Sequence, residues 1–361
     1  MKCIARRTAA ALTAAFLLMT GVCAAQPHHS AKCAIVLDGQ SGRTLYAYNA
    51  DEPSRIASTT KIMTGLLVCE CCDLQKEIAV PPEAVGIEGT SLYLQAGERI
   101  TLQALLYGMM LHSGNDAAQA LAIACDGSAE RFAARMNRRA RELGLRNTHY
   151  VNPSGLDAEG HCSTARDLAL LTRHAMQNAD FRAAVGTKTA VFGNRTFVNH
   201  NRLLWRYDGA DGVKTGYTKA AGRILVSHAA RDGRELIAVT INDPNDWADH
   251  AALLDYGFSQ FTPYTALTAG ERLGTTAVFG GTEESVGLLC ASDFIWPLAQ
   301  NEKAELRVYA PHYTFAPVLR TQAGYCEILQ DGTPVGRVPL YYEQPVAQLP
   351  RRSLLGSLIN R

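Results

Sequence analysis

The chain has 361 residues, 47% of them hydrophobic and 19% charged, and 35 Lys and Arg against 34 Asp and Glu leave a formal net charge of +1. That length accommodates two domains with a sizeable core, and the composition is that of a globular protein. The balanced charge, with no basic stripe interleaved with aromatics, supports no electrostatic case for nucleic acid, and none is expected as a partner.

Residues 1–25 read as a secretory signal peptide. Lys2, Arg6 and Arg7 give a positive start, residues 8–22 are apolar and small, and Cys23-Ala24-Ala25 supplies small residues for cleavage after Ala24 or Ala25. The apolar run falls short of the ~20 residues needed to span a bilayer. Val22 is bulkier than the residue that lipidation wants before its cysteine, which argues against a lipoprotein. The chain is therefore expected to be exported and to act outside the cytoplasm, at the cell wall or the outer face of the membrane.

Of the ten cysteines, Cys33, Cys69, Cys71, Cys72, Cys125, Cys162, Cys290 and Cys326 remain after cleavage. An oxidising compartment permits disulfides, but their pairing is not legible from spacing. Cys69-Glu70-Cys71-Cys72 has no partner pair at zinc-site spacing. No metal and no cofactor are expected.

From Lys32 the chain turns to strands. Residues 33–37 and 44–48 flank Asp38-Gly39-Gln40-Ser41-Gly42, a hairpin pattern. A polar link leads to Ile56-Ala57-Ser58-Thr59-Thr60-Lys61-Ile62-Met63, where Ile62, Met63, Leu66 and Leu67 recur at helical spacing. Ser58 suits the first helical turn, and Lys61 three positions on shares its face. A serine hydroxyl needs a neighbouring base to become a nucleophile, and a lysine serves only if its amine is held partly neutral. Taken alone the pair proves little, and its ordinary reading is a capping serine with a solvated lysine.

Residues 73–150 look mainly helical after a short extended piece. A helix over 102–111 ends at His112-Ser113-Gly114-Asn115, where Gly114 breaks the pattern and leaves Ser113 and Asn115 on a tight turn before a helix over 118–125. A loop over 147–156, an amphipathic helix over 163–177 and an extended stretch over 191–204 follow. Strand runs occur at 212–217, which opens Gly212-Val213-Lys214-Thr215-Gly216-Tyr217, at 223–228 and at 235–241, with Asp232-Gly233 as a hairpin signal between the last two. A closing helix spans 250–258. His112, His149, His161 and His200 lie near these segments and are read as loop or packing residues.

These elements give an α+β fold: an antiparallel sheet covered by helices over residues 26–261, then a small β-rich domain over 262–348. The tail, 349–361, is apolar on one side and about three helical turns long, a candidate for contact with a membrane surface.

Ser58-x-x-Lys61, Ser113-Gly114-Asn115 and Lys214-Thr215-Gly216 occur in that order on a helix start, an interhelical turn and a strand. Each is weak alone, but the trio is the serine acyl-transferase set with variation in its middle member. With them, and with Asn152-Pro153-Ser154-Gly155-Leu156, Ser163-Thr164-Ala165-Arg166-Asp167-Leu168 and Asn199-His200-Asn201-Arg202-Leu203-Leu204, the chain resembles the serine D-alanyl-D-alanine carboxypeptidases. These are the low-molecular-weight penicillin-binding proteins, with a β-lactamase/transpeptidase-like domain followed by a small β domain.

The resemblance implies that Ser58 attacks the carbonyl between the terminal D-alanines of a peptidoglycan stem peptide. Lys61 takes its proton, and Ser113 relays a proton to the departing amine. Lys214, Thr215 and Gly216 would hold the substrate, with Asn115 either bonding its amide side or serving as a turn residue. Backbone N–H groups of Ser58 and Tyr217 would form the oxyanion hole. Many relatives have histidine where Tyr217 stands, and some place an arginine for the substrate carboxylate where this chain reads Asn245-Asp246-Trp247-Ala248-Asp249-His250. β-Lactam antibiotics are expected to inhibit covalently. A β-lactamase would need a glutamate of the Glu-x-x-Leu-Asn kind between the second and third motifs, and none occurs. A non-catalytic wall-binding protein would not require the intact trio.

Overall fold

The computed structural model describes residues 26–350; the signal-peptide reading (1–25) and all but the start of the expected tail fall outside the described residues. Strands β1 (Cys33–Asp38) and β2 (Thr44–Tyr48) form the expected antiparallel hairpin, its turn held by the Ser41 amide donating to Asp38 Oδ1 at 2.7 Å. All six β1 residues are buried because the strand has helices on both faces. Cys33, Ile35 and Leu37 enter one core and Ala34 and Val36 the other, the period-two alternation of a pleated strand.

The chain then makes a 3₁₀ turn at Ala57–Thr60 and enters α1 (Lys61–Cys71). Ser58 therefore precedes the α-helix rather than occupying its first turn, as the spacing had suggested. The cause is local: Ala57 adopts φ +43°, and the Thr59 hydroxyl and amide both bond the Ile56 carbonyl, which tightens the chain before Lys61. Ile62, Met63, Leu66, Leu67 and Val68 anchor α1 in the core, each worth roughly 1.5–3 kcal/mol of burial.

A short ribbon of β3 (Glu77–Ala79) and β4 (Arg99–Thr101) leads into α2 (Leu102–Leu111), α3 (Asn115–Asp126) and α4 (Ala129–Glu142). The Thr101 and Ser128 hydroxyls cap α2 and α4, taking bonds from the Ala104 and Arg131 amides. A disulfide joins Cys72, just past α1, to Cys125 near the end of α3. Thr164 and Asn178 likewise cap α5 (Ala165–Ala175) and α6 (Ala179–Gly186).

The stretch read as extended over 191–204 is extended through Val198, as a hairpin of β5 (Thr189–Phe192) with β6 (Arg195–Val198), and departs from that reading only beyond it, at the single turn α7 (Leu203–Arg206). Asn199 and Asn201 account for the change. Asn199 Oδ1 accepts from the Asn201 amide and Asn201 Oδ1 from the Leu203 amide, so side chains turn the backbone where a strand would have continued.

Strands β7 (Ala210–Thr218), β8 (Gly222–Arg231) and β9 (Arg234–Ile241) complete an antiparallel sheet of order β2-β1-β9-β8-β7. α8 (Asp246–Gln260) covers one face and α1, α5 and α6 lie toward the other. β7 is an edge strand, so its outer backbone groups remain open to an extended ligand.

The remaining described residues are strands. β10 (Phe261–Leu267), β11 (Arg272–Phe279), β12 (Ser285–Cys290), β13 (Phe294–Ala299), β14 (Ala304–Tyr309), β15 (Tyr313–Phe315), β16 (Gln322–Gln330) and β17 (Thr333–Tyr342) form a β10-β13 pair and a six-stranded sheet of order β14-β16-β17-β12-β11-β15. Arg43, in the β1–β2 turn, reaches across to the Glu302 carboxylate and the Pro297 carbonyl, tying this β layer to the first sheet. The fold is the expected α+β transpeptidase-like arrangement with a β-rich C-terminal part. No helix among the described residues is long and apolar enough to cross a membrane.

Candidate active site

Three elements converge at the open edge of β7. The 3₁₀ turn brings Ser58, the α2–α3 junction brings Ser113 and Asn115, and β7 itself brings Lys214, Thr215, Gly216 and Tyr217. Ser58, Ser113, Thr215, Gly216 and Tyr217 line a cleft of about 530 Å³.

Lys61 has no solvent exposure. Its Nζ lies 2.9 Å from Ser58 Oγ, 2.7 Å from Asn115 Oδ1 and 2.6 Å from the Ser154 carbonyl oxygen. Burial, reinforced by the nearby Lys214 charge, drives its amine well below the ordinary lysine range. An amine held this way, within hydrogen-bond reach of a hydroxyl, is able to take that hydroxyl's proton.

Lys214 is also buried, with Nζ 3.1 Å from Ser113 Oγ and 3.1 Å from its neighbour's carbonyl, Thr215 O. Burial lowers its pKa to about 7. Ser113 adopts φ +68°, a conformation rarely taken by residues other than glycine, and this places its hydroxyl beside Lys214. The arrangement is two hydroxyl–amine pairs, Ser58 with Lys61 and Ser113 with Lys214.

Asn115 is engaged on both sides of its amide. Oδ1 accepts from Lys61, and Nδ2 donates to the Glu88 carbonyl at 2.7 Å. It opens α3 rather than sitting free in the turn, and a single Nδ2 proton is left for any ligand.

At Gly216 the backbone comes close to the nucleophile's turn. A Cβ there would stand 3.2 Å from the Ile56 carbonyl oxygen and 3.3 Å from the Ser58 nitrogen, so the absent side chain lets β7 press against the turn that carries Ser58.

Sequence reasoning gave no role to the residues that hold this machinery in place. Asn152 Oδ1 accepts from the Ser154 hydroxyl and the Ser154 and Gly155 amides, which shapes the loop whose carbonyl meets Lys61. Thr64 Oγ1 donates to the Pro153 carbonyl from α1. His161 accepts from the Val151 amide at Nδ1 and meets Thr60 Oγ1 at Nε2, and burial keeps it neutral with a pKa of about 4. His161 thus packs, as expected. His200 lines the cleft with its pKa pushed down to about 4 by burial and by Lys214 and His112, and its ring lies 5.0 Å from that of His112. His149 makes a contact with the Gly160 carbonyl. The Pro-Ser-Gly signature of the loop is the one local signal that pointed to this support. Arg202, Arg223, Asp246 and Trp247 also line the cleft.

Two family models match the chain: D-alanyl-D-alanine carboxypeptidase over residues 20–245, and penicillin-binding protein 5, C-terminal domain, over residues 261–348. D-alanyl-D-alanine carboxypeptidase DacF of Bacillus subtilis (strain 168) is 34% identical over 287 residues, 76% of this chain and 74% of that protein. D-alanyl-D-alanine carboxypeptidase DacC of Escherichia coli (strain K12) is 33% identical over 343 residues, 89% of this chain and 86% of that protein. Among solved structures, penicillin binding protein 5 from Haemophilus influenzae superposes with a TM-score of 0.79 at 26% identity, over 90% of this chain and 99% of that one. With the motif residues gathered in one cleft and these likenesses spanning most of its length, the chain belongs to the serine-type D-alanyl-D-alanine carboxypeptidases, the low-molecular-weight penicillin-binding proteins.

Proposed function

We propose that this chain removes the terminal D-alanine from peptidoglycan stem peptides ending in D-Ala-D-Ala, through an acyl-enzyme on Ser58. The observation that carries the reading is the Lys61 amine, wholly buried, 2.9 Å from Ser58 Oγ and depressed in basicity by burial and by Lys214. As Ser58 Oγ bonds to the carbonyl carbon, its proton passes to Lys61. Ser113, hydrogen-bonded to Lys214, delivers a proton to the nitrogen of the leaving D-alanine as the C–N bond breaks. Water then cleaves the ester and restores the Ser58 hydroxyl.

The Ser58 and Tyr217 backbone N–H groups face the developing oxyanion, each such donor typically worth ~2.7–4 kcal/mol. The substrate lies along the open edge of β7, where Gly216 keeps the backbone close to the nucleophile. Lys214 and the Thr215 hydroxyl meet its carboxylate end. Asn115 fixes Lys61 through Oδ1 and offers its remaining Nδ2 proton to the substrate amide.

β-Lactams acylate the same serine, and slow release of the adduct separates this enzyme from a β-lactamase. Hydrolysing a penicilloyl ester quickly needs a carboxylate to activate water, and the one carboxylate lining the cleft among the described residues, Asp246, is taken up by Arg223. The reading places the catalytic part at residues 26–261 and a supporting β part at 262–348. It also places the protein outside the cytoplasm, exported by residues 1–25, with the tail over 349–361 a candidate for contact with a membrane surface.

The test is incubation with a pentapeptide ending in D-Ala-D-Ala. Free D-alanine and tetrapeptide are expected from the wild type and not from Ser58→Ala. Equal release by both proteins would refute the assignment.

A further inference from the structure

A second, smaller cleft of about 260 Å³ opens beside the catalytic one. Thr90 lines the catalytic cleft and Ser91 the smaller, and His200 of the first stands 5.0 Å, ring to ring, from His112 of the second. His112 directly precedes Ser113, so the two clefts meet at the turn between α2 and α3.

One wall of the smaller cleft is strained. Leu92 and Leu94 are buried, whereas Tyr93 between them is 80% exposed and adopts φ +57°, a conformation that aromatic residues rarely take. The loop around it is nonetheless fixed. Asp116, buried in the first turn of α3, accepts from the Leu92 and Leu94 amides and from the Ser91 hydroxyl. Ser91 Oγ accepts from the Tyr93 amide at 2.9 Å, and Arg195 donates to the Leu92 carbonyl at 2.7 Å. A ring held out in water by a rigid loop, in a strained backbone conformation, recovers little of that strain by packing, which is the pattern of strain kept for a ligand.

The opposite wall is the β5–β6 hairpin, which brings Asn194, Arg195 and Thr196. Arg195 is already paired, its guanidinium donating to both carboxylate oxygens of Glu98. Asn194 and Thr196 are exposed, so an amide and a hydroxyl face an incoming group. An aromatic face opposite an amide and a hydroxyl, with the one arginine neutralised, suits a neutral polyhydroxylated ring rather than an anion. The C–H face of a sugar lies on the aromatic ring while its hydroxyl and acetamido groups bond the polar rim.

Resting on the carboxypeptidase reading, we propose that this second cleft binds the N-acetylated amino sugar from which the stem peptide hangs, with Tyr93 as the stacking platform and Asn194 and Thr196 as hydrogen-bonding partners. The stem-peptide residues before the scissile bond, about four, extend over roughly 13–14 Å. A peptide whose end sits at Ser58 then leads out past His200 and His112 to its sugar. Tyr93 is a specificity residue that favours glycan-borne peptide over free peptide and moves no proton.

The experiment compares an N-acetylated pentapeptide ending in D-Ala-D-Ala with the same pentapeptide joined to N-acetylmuramic acid, in wild type, Tyr93→Phe, Tyr93→Asn and Asn194→Ala. Asparagine tolerates a positive φ, so Tyr93→Asn removes the ring while keeping the loop, and the melting temperature should not fall. Wild type should show a KM roughly 5- to 10-fold lower for the sugar-bearing peptide, with kcat within about 2-fold. Tyr93→Phe should keep that advantage and Asn194→Ala should lose part of it. Tyr93→Asn should bring the two KM values together and leave the bare peptide unaffected. Equal KM values in wild type, a sugar advantage that survives Tyr93→Asn, or a loss shared by both peptides would overturn the sugar cleft while leaving the carboxypeptidase reading intact. A wild-type enzyme that releases D-alanine from neither peptide would overturn both.

Discussion

A Cβ on Gly155 would lie 1.8 Å from the Ala57 carbonyl oxygen, so the loop that follows Pro153 and the turn that presents Ser58 are in backbone contact. Gly155 also sits at φ +86°, where side chains are strained whatever the space. The contact links the Ser154 carbonyl, which bonds Lys61, to the residue just before the nucleophile. Gly155→Ala should therefore displace the turn, lower stability by about 3 kcal/mol or more and slow acylation by penicillin. Melting temperature and acylation rate check this together. A variant with both unchanged would mean that the two segments move independently.

Lys214 gives a pH dependence with a definite sign. Its folded value of about 7 lies below the ~10.4 of an unfolded lysine, so the unfolded chain holds more protons between those limits. Stability should rise as pH climbs from about 7 toward ~10.4. Substrate binding should run the other way, because Lys214 loses the charge that helps hold a carboxylate. KM for the acid peptide is expected to climb above pH 7, and Lys214→Met should flatten that climb while binding more weakly throughout. A wild-type KM that is level from pH 6 to 9 would contradict the argument.

The Cys72–Cys125 bridge closes a sequence separation of 53 residues between the ends of α1 and α3, the two helices that bring Lys61 and Asn115 together. The chain-entropy model puts such a closure at ~4 kcal/mol. Cys72→Ser with Cys125→Ser should lower stability by about 2–4 kcal/mol in denaturant titration without removing the Ser58–Lys61 contact. Residual penicillin labelling at low temperature would agree, and unchanged stability would show that the bridge constrains little.

Legibility followed distance along the chain. The β1–β2 hairpin, the Asp232-Gly233 turn and the Ser58–Lys61 pairing are local, and spacing alone indicated them. The approach of Lys214 to Ser113, 101 positions apart in sequence, had no local signal and rested on the likeness of three motifs to a known set. Burial of Lys61 and Lys214 was equally hidden, since lysines carry no apolar pattern, yet that burial is what lowers their basicity. Asn199 and Asn201 bent a stretch that reads as extended, because side-chain bonds to backbone outweighed strand propensity there. The pairing of Cys72 with Cys125 depended on how α1 and α3 pack. The exposed Arg202 was quoted in a motif, but that it lines the cleft becomes visible only once the fold is in place.

Intact-protein mass spectrometry after exposure to penicillin tests the central claim, that Ser58 is a nucleophile activated by Lys61 and lacks a base to clear a β-lactam. The account predicts a stable adduct of one drug mass, mapped to the Ser58 peptide and absent in Ser58→Ala. An adduct elsewhere, no adduct, or an adduct that vanishes rapidly into hydrolysed drug would contradict it.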